Sequence, residues 1–242
     1  MLNMSFKHYL YSRLLWFYRG VRRRVFRRTS DLIPLMQQHL PANPVLVEAG
    51  AHIGLDTVKF ADLWPQGHIH AFEPIPAIFS QLQQQVGDCS NVTCYSVALA
   101  DKTGTVRMFV SKGSGDASSS LLPPKKHLDW HPNVEFSQEA IEVPSQTLDD
   151  WVTHEQITQL DALWLDLQGF ELPVMQASVQ TLQRVKVIVT EFANVELYAG
   201  QARYAAIREW LEQQGFDCVY REQLWLYGGN ALFVRRESAG RK

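Results

Sequence analysis

The sequence is poor in the features that mark specialised classes of protein. Cysteine is scarce: Cys89, Cys94 and Cys218 are three among 242 residues, with no C-x-x-C pair and no zinc spacing. That excludes a disulfide framework and a structural zinc site and leads us to expect a reducing compartment. No apolar run reaches the roughly 18 residues that a membrane-spanning helix needs. The stretch Tyr9 to Tyr18 is interrupted by Arg13 and followed by no small-residue cleavage site, so it does not read as a secretory signal. Neither sign of charge dominates. Lys and Arg number 23 against 25 Asp and Glu, a net charge of −2, which argues against a nucleic-acid partner. Internal repeats and long low-complexity tracts are also missing. What the chain does have is apolar bulk, 46% hydrophobic and 11% aromatic residues, sufficient for one well-buried domain.

The even charge hides an uneven distribution. Residues 1–28 hold eight basic residues and no acid, leaving 15 basic residues to face all 25 acids, so a basic arm precedes a body of charge −10. Within the arm Phe6, Leu10, Leu14, Phe17, Val21 and Val25 recur at helical spacing. Such a helix packs on the domain or a second subunit, or lies on an anionic membrane with its aromatic rings at headgroup depth. Arg24 and Arg28 fall on the apolar face and blur the segregation. We therefore expect a helical arm over residues 1–40 and a domain over 41–242, in a cytoplasmic protein with scope for peripheral membrane contact through residues 6–28 and for a homodimer.

Beyond Pro44 short β-branched runs alternate with helical stretches. Val45–Glu48, His68–Phe72, Val92–Val97, Ala162–Asp166 and Val185–Thr190 read as strands; Leu55–Leu63, Ala77–Val86 and Glu171–Gln183 read as helices. The alternation implies an α/β fold, Rossmann-like, with a mostly parallel sheet. After a helix over Tyr204–Gln214, Phe216–Tyr220 and Ala231–Arg235 are separated by ten residues containing Gly228-Gly229, too few for a crossover helix. The expectation is seven strands, helices on both faces, and an antiparallel C-terminal edge strand. Residues 101–147 interrupt the scheme with a turn at Asp101–Gly104, a strand over Thr105–Val110, a Gly/Ser-rich stretch and the irregular run His127–Pro132, which together suggest a lid or substrate wall.

The first strand runs into Glu48-Ala-Gly-Ala-His-Ile-Gly54, an acid and a G-x-x-x-G turn. The middle glycine of G-x-G-x-x-G, which admits a pyrophosphate, is missing, and Glu48 would repel a diphosphate while suiting an ammonium group. Glu73 closes the second strand nineteen residues beyond Gly54, where an acid can accept hydrogen bonds from both hydroxyls of an unphosphorylated ribose. Pro74 and Pro76 fix the exit turn. Ala98 and Leu99 would offer apolar contacts to an adenine. Glu48, Gly50, His52, Ile53, Gly54, Glu73, Pro74, Ala98 and Leu99 are thus the candidate cofactor-binding residues.

The constellation resembles a class I S-adenosylmethionine-dependent methyltransferase and, more narrowly, the FkbM-type methyltransferase family. The likeness spans about Val45 to Val234 and rests on the glycine loop, Phe72-Glu73-Pro74, Ser118-Ser119-Ser120-Leu121, Thr147-Leu148-Asp149-Asp150 and Leu165-Asp166-Leu167-Gln168-Gly169-Phe170-Glu171. The last is similar to the family's Asp-x-Glu-Gly-x-Glu run, with Gln168 where a carboxylate normally stands. Membership implies S-adenosylmethionine as methyl donor and a hydroxyl of a sugar or secondary metabolite as acceptor.

Methyl transfer is an in-line displacement that needs alignment and a base for the alcohol proton. Asp166, at the end of the fourth strand, Glu171, at the start of the next helix, and Glu191, at the end of the fifth strand, are the catalytic candidates. Asp166 and Glu171 also have structural readings, the first as a donor-orienting group and the second as a favourable charge at a helix N-terminus. A different arrangement, in which Asp166, Glu191 and Asn194 hold Mg²⁺, is the less favoured reading. Ser119, His127 and Gln168 are candidate substrate contacts. His127 and His131 are also candidate bases, while Trp130, Trp164 and Trp225 could stack on an acceptor. Two rival readings are a catalytically idle binding module of this fold and an NAD-dependent oxidoreductase. Thermal stabilisation separates them, since a ligand of the folded state alone raises its melting temperature. S-adenosylhomocysteine near a millimolar should stabilise the protein and NAD should not, with the shift lost in Glu73→Ala; no shift with either ligand would sink the enzyme reading.

Overall fold

The computed structural model describes residues 32–112, 117–224 and 226–236. The arm helix expected over residues 6–28 and Trp225 lie outside the described residues. The chain divides into two units, Met1–Gln38 and His39–Lys242. In the first, the described stretch forms one helix, α1 (Leu32–Gln37).

The second unit opens with the expected alternation: β1 (Val45–Ala49), α2 (Leu55–Leu63), β2 (His68–Phe72), α3 (Pro76–Gln85) and β3 (Val92–Tyr95). In β1 and β2 the last four residues of each strand are buried, as a central parallel strand covered on both faces requires. Pro76 starts α3 because its fixed φ suits the first helical turn, where no N–H partner is needed. An inserted region follows, with β4 (Ala98–Leu99), β5 (Gly104–Met108), β6 (Ser111–Lys112), α4 (His127–Trp130), β7 (Glu135–Phe136) and β8 (Ile141–Gln146). The main pattern resumes with α5 (Leu148–His154), β9 (Ala162–Leu165), α6 (Glu171–Gln176), α7 (Val179–Leu182), β10 (Val187–Ala193), α8 (Tyr204–Gln213), β11 (Phe216–Gln223) and β12 (Gly228–Arg235). Thr147 caps α5, its hydroxyl accepting from the Asp150 amide at 3.0 Å. The indole of Trp151 is then buried edge-on against Phe72 and Tyr95, at 5.1 and 5.5 Å between ring centres.

Seven strands form the main sheet in the order β11-β12-β10-β9-β1-β2-β3, parallel from β10 through β9, β1 and β2 to β3. The chain moves outward from β1 to β3, then returns through the insertion to β9 on the other side of β1. The strand ends of β1 and β9 are therefore a topological switch point, where open α/β sheets leave a crevice for a ligand.

Four local expectations are corrected. The antiparallel strand, β12, does not occupy the edge; it lies between β10 and β11 and pairs antiparallel with both. After the α8 crossover, β11 settles one strand position away from β10, and the hairpin folds β12 into the vacant slot. The strand expected over Val92–Val97 ends at Tyr95, because Ala98 and Leu99 leave the sheet to pair with Ser145 and Gln146 in a second sheet of order β4-β8-β5. Strand β8 itself was not foreseen, since Pro144 at its centre argues against a ladder. Lastly, the helix expected over Glu171–Gln183 is broken at Ala177 and Ser178. The Ser178 hydroxyl accepts from the Leu148 amide at 3.2 Å, tying the break to α5.

At the β10–β12 junction bare glycine is required, because a Cβ on Gly228 would lie 2.2 Å from the Phe192 carbonyl oxygen. Gly228→Ala should lower stability by about 2 kcal/mol, whereas Gly87→Ala, whose Cβ would meet its neighbours at 3.5 Å, should stay within about 0.5 kcal/mol of the parent. Urea denaturation of the two variants checks the contrast.

Candidate active site

At the switch point two loops meet without a side chain between them. Gly50 has φ +85°, and a Cβ there would lie 2.0 Å from the Asp166 carbonyl oxygen, so only glycine lets the β1–α2 turn reach the end of β9. The amides of Gly50 and Ala51 both donate to the Phe72 carbonyl, at 3.1 and 2.9 Å, and bind the turn to β2. Gly54 is bare for another reason: its Cβ would lie 2.7 Å from Leu82 Cδ1, so it permits α3 to pack on the start of α2.

These loops open on a cleft that is partly open to solvent. One side is apolar, lined by Ile75, Ile78, Val97, Ala98, Leu99 and Met108. Beside it stands Glu73, 5% exposed, whose Oε1 accepts from the Ile75 amide at 2.7 Å and whose carboxylate also accepts from the His52 amide. Burial pushes its carboxyl up to about 7 despite those donors. An acid above an apolar slot at the end of the second strand fits the ribose and base of an adenosyl group. Gly50, His52 and Pro74 also line the cleft.

Two of the candidate cofactor contacts, Ile53 and Glu48, have other partners. Ile53 packs in a cluster with Ile75, Ala98 and Val143. Glu48 is 2% exposed and accepts from the Thr57 hydroxyl at 2.6 Å, beneath the loop; burial raises its carboxyl to about 8.

The opposite end of the cleft is acidic. Asp166 lies on the cleft wall, reached by solvent through the opening but enclosed by protein on its other sides. Gln168, with φ +50°, donates from Nε2 to Asp166 Oδ1 at 2.8 Å and to Glu191 Oε2 at 2.7 Å. Asp166 and Glu191 are mutually hydrogen-bonded, and both sit above the ordinary carboxylate range, chiefly through burial, with Glu191 raised further by the Asp166 charge. Both acids are thus pushed toward holding a proton, Glu191 the more strongly. Glu171 is 2% exposed and faces away from the cleft: its Oε1 accepts from the amides of Leu167 and Gly169 at 3.0 and 3.1 Å, shaping the β9–α6 loop, and burial lifts its carboxyl to about 7.

Of the expected acceptor contacts, Ser119 lines the cleft and its hydroxyl accepts from the Ser111 amide at 3.0 Å. Gln168 also lines it, with both ends of its amide engaged by protein. His127, expected as an acceptor contact or base, is not among the residues that line the cleft. It is 2% exposed, stacked on His131 at 4.6 Å and packed against Phe136 and Tyr198, with no partner for Nδ1 among the described residues. Burial lowers its imidazole to about 4, which keeps it neutral. His131 is hydrogen-bonded to the Tyr227 hydroxyl. Trp164 packs on Phe60 at 5.0 Å, while Trp130 is 41% exposed beside Tyr227. The arrangement does not fit a Mg²⁺ ion held by Asp166, Glu191 and Asn194. Amide hydrogens of Gln168 face the two acids, and the exposed Asn194 accepts from Arg221 at 3.5 Å. No group of three or more His, Cys, Asp or Glu among the described residues is placed to hold a metal ion.

Sequence reasoning missed Tyr198 and undervalued Ser120. The buried Tyr198 hydroxyl donates to the Ser118 carbonyl at 2.7 Å and lies 3.2 Å from Gln168 Oε1, while the Ser120 hydroxyl donates to the Gln168 carbonyl at 2.9 Å. Tyr198 stands in an irregular segment after β10, where only its place past the end of a parallel strand could have marked it.

A family profile described as the methyltransferase FkbM domain matches residues 48–218. The 2-O-methyltransferase NoeI of Sinorhizobium fredii is 31% identical over 209 residues, which cover 84% of each chain. Methyltransferase sdnD of Sordaria araneosa is 25% identical over 210 residues, covering 77% of this chain and 79% of its own. Among solved structures, Aeropyrum pernix fibrillarin with natively bound S-adenosyl-L-methionine aligns with TM-score 0.48 and 12% identity, over 81% of this chain and 69% of that one.

The buried Glu48 yields a pH prediction. A carboxyl at about 8 in the folded state and near its ordinary value when unfolded binds more protons folded than unfolded, so stability falls as pH rises between those values and levels off above the higher one. The buried histidines act below pH 6.5, which leaves the upper part of the window to the acids. Between pH 6.5 and 8.5 the parent should lose about 1–2 kcal/mol more stability than Glu48→Gln, as urea titrations at the two pH values would show.

Proposed function

Since the chain belongs to the FkbM methyltransferase family and is an S-adenosylmethionine-dependent methyltransferase, we propose that Asp166 is the base that frees an acceptor hydroxyl for methylation. In this reading Gly50, His52, Glu73, Pro74, Ala98 and Leu99 hold the donor. The reading is carried by one observation: the glycine turn, Glu73 and Asp166 share one cleft, with Gly50 directly against the Asp166 backbone.

S-adenosylmethionine supplies an electrophilic methyl group on a cationic sulfur. Everything else falls to the chain. Glu73 accepts from the ribose hydroxyls, and the slot of Ile75, Ile78 and Leu99 takes the adenine. Asp166 accepts the proton of the attacking alcohol while Glu191 retains its own, so the pair gains a single proton in the step. Leu121, Met108 and Phe170 line the same cleft and keep water from the donor. Glu48 and Gly54 support the loop from behind, and Glu171 holds the Asp166 loop in shape. In this reading Ser119, which lines the cleft, touches the acceptor.

The acceptor is a hydroxyl of a small molecule or glycan, and a sugar hydroxyl is the reading that the 2-O-methyltransferase NoeI supports. An idle binding module and a nicotinamide oxidoreductase are not favoured. No helix among the described residues is long and apolar enough to cross a membrane; membrane contact or dimerisation through residues 6–28 is a proposal from sequence alone.

Transfer of a labelled methyl group from S-adenosylmethionine to a panel of free sugars, glycosides and small alcohols tests the assignment. With an acceptor in hand, Asp166→Asn should lower kcat by about 100-fold or more and leave donor affinity within a few-fold, whereas Glu73→Ala should weaken the donor. Full turnover by Asp166→Asn would remove Asp166 as the base.

A further inference from the structure

Gln168 is held at its backbone and at both ends of its side chain. Its backbone adopts φ +50°, a region costly for a residue with a Cβ. Three neighbours hold its side chain and a fourth its carbonyl. Nε2 has two hydrogens and two acceptors, Asp166 Oδ1 and Glu191 Oε2, while Oε1 faces the Tyr198 hydroxyl. This orientation of the amide gives each acid a hydrogen, whereas the reverse would set Oε1 against two carboxyl oxygens. The residue's carbonyl accepts from Ser120, whose own Oγ accepts from the Leu122 amide at 3.0 Å, and Tyr198 donates to Ser118 two residues before.

We propose that Gln168 is a positioning residue of the transfer site: its amide bridges Asp166 and Glu191 so that Asp166 faces the cleft as an acceptor, and Ser120 and Tyr198 tie that bridge to the substrate wall. The inference rests on the reading of Asp166 as base and adds a residue that acts through it. The alternative at this position, a carboxylate, supplies no hydrogen to either acid. It would set a third acceptor among groups already crowded with charge.

The titratable groups around the pair come from every adjoining element: Asp166 at the end of β9, Glu191 on β10, Glu171 on α6, Asp56 on α2, His52 in the β1–α2 turn and Tyr198 after β10. Of the contributions to Asp166, the Gln168 amide is the largest of those that favour its charged form, while burial opposes it. Removing the two donors therefore moves the pair toward holding its proton at higher pH.

A readout independent of turnover exists, because S-adenosylmethionine carries a positive sulfur and S-adenosylhomocysteine does not. The ratio of their affinities, measured by calorimetry from pH 5.5 to 9, follows the charge of the carboxylate pair, and a general loosening of the cleft cancels in the ratio. In the parent the preference for the cation should rise with pH. In Gln168→Glu, and in Gln168→Ala should the first fail to fold, the midpoint of that rise should move up by one pH unit or more. An unmoved midpoint in a folded Gln168 variant overturns the proposal. Asp166→Asn keeps the two claims apart: lost turnover there with an unmoved midpoint in the Gln168 variants discards the positioning role alone, whereas full turnover there with a shifted midpoint discards the base and supports the bridge.

Discussion

A carboxyl group taken from water into protein must find hydrogen-bond donors or keep its proton, and five acids face that choice at the ends of the sheet. Glu48 turns to a threonine hydroxyl, Glu73 and Glu171 to backbone amides, and Asp166 and Glu191 to one glutamine and to each other. Each solution fixes a loop. Glu171 gives the β9–α6 turn its shape, Glu73 anchors the exit of β2, and Glu48 ties the first strand to the helix that follows. The loops around the cleft are therefore held largely by the partners that the acids require, and the acid left with an open side, Asp166, is the one on the cleft wall.

Much of this was legible in the chain. The parallel core was announced by apolar β-branched runs at βαβ spacing, and the donor end by Gly50 and Glu73, because strand-end acids and bare turns are local features with a local cause. The insertion was legible only as an interruption. Strand β8 was concealed by Pro144, and its pairing with Ala98 and Leu99 depends on a contact across more than forty residues. The acidic end of the cleft was half legible: Asp166 follows from the topology, but Glu171 could be separated from it only by seeing which groups each carboxylate meets. His127, a candidate acceptor contact from its place in the irregular run, is instead packed inside an aromatic cluster. Tyr198 carries no pattern at all, since its importance comes entirely from the two residues its hydroxyl reaches.

The same comparison bears on Gln168. As a departure from a family motif it read as a lost carboxylate, which would weaken a catalytic interpretation. In three dimensions the amide sets two donors at a place where two acids converge, a task that a carboxylate would not perform. Whether a motif residue is missing or exchanged depends on what surrounds it.

Strand β4 carries Ala98 and Leu99 into the cleft wall, yet its hydrogen bonds run to Ser145 and Gln146, at the far end of the inserted region. The two ends of a segment of some forty residues are thereby clasped to one another before the intervening chain begins. A segment fastened at its base can change in length and content without moving Ala98 and Leu99, so the part of the cleft wall that they form is insulated from what lies between residues 100 and 145.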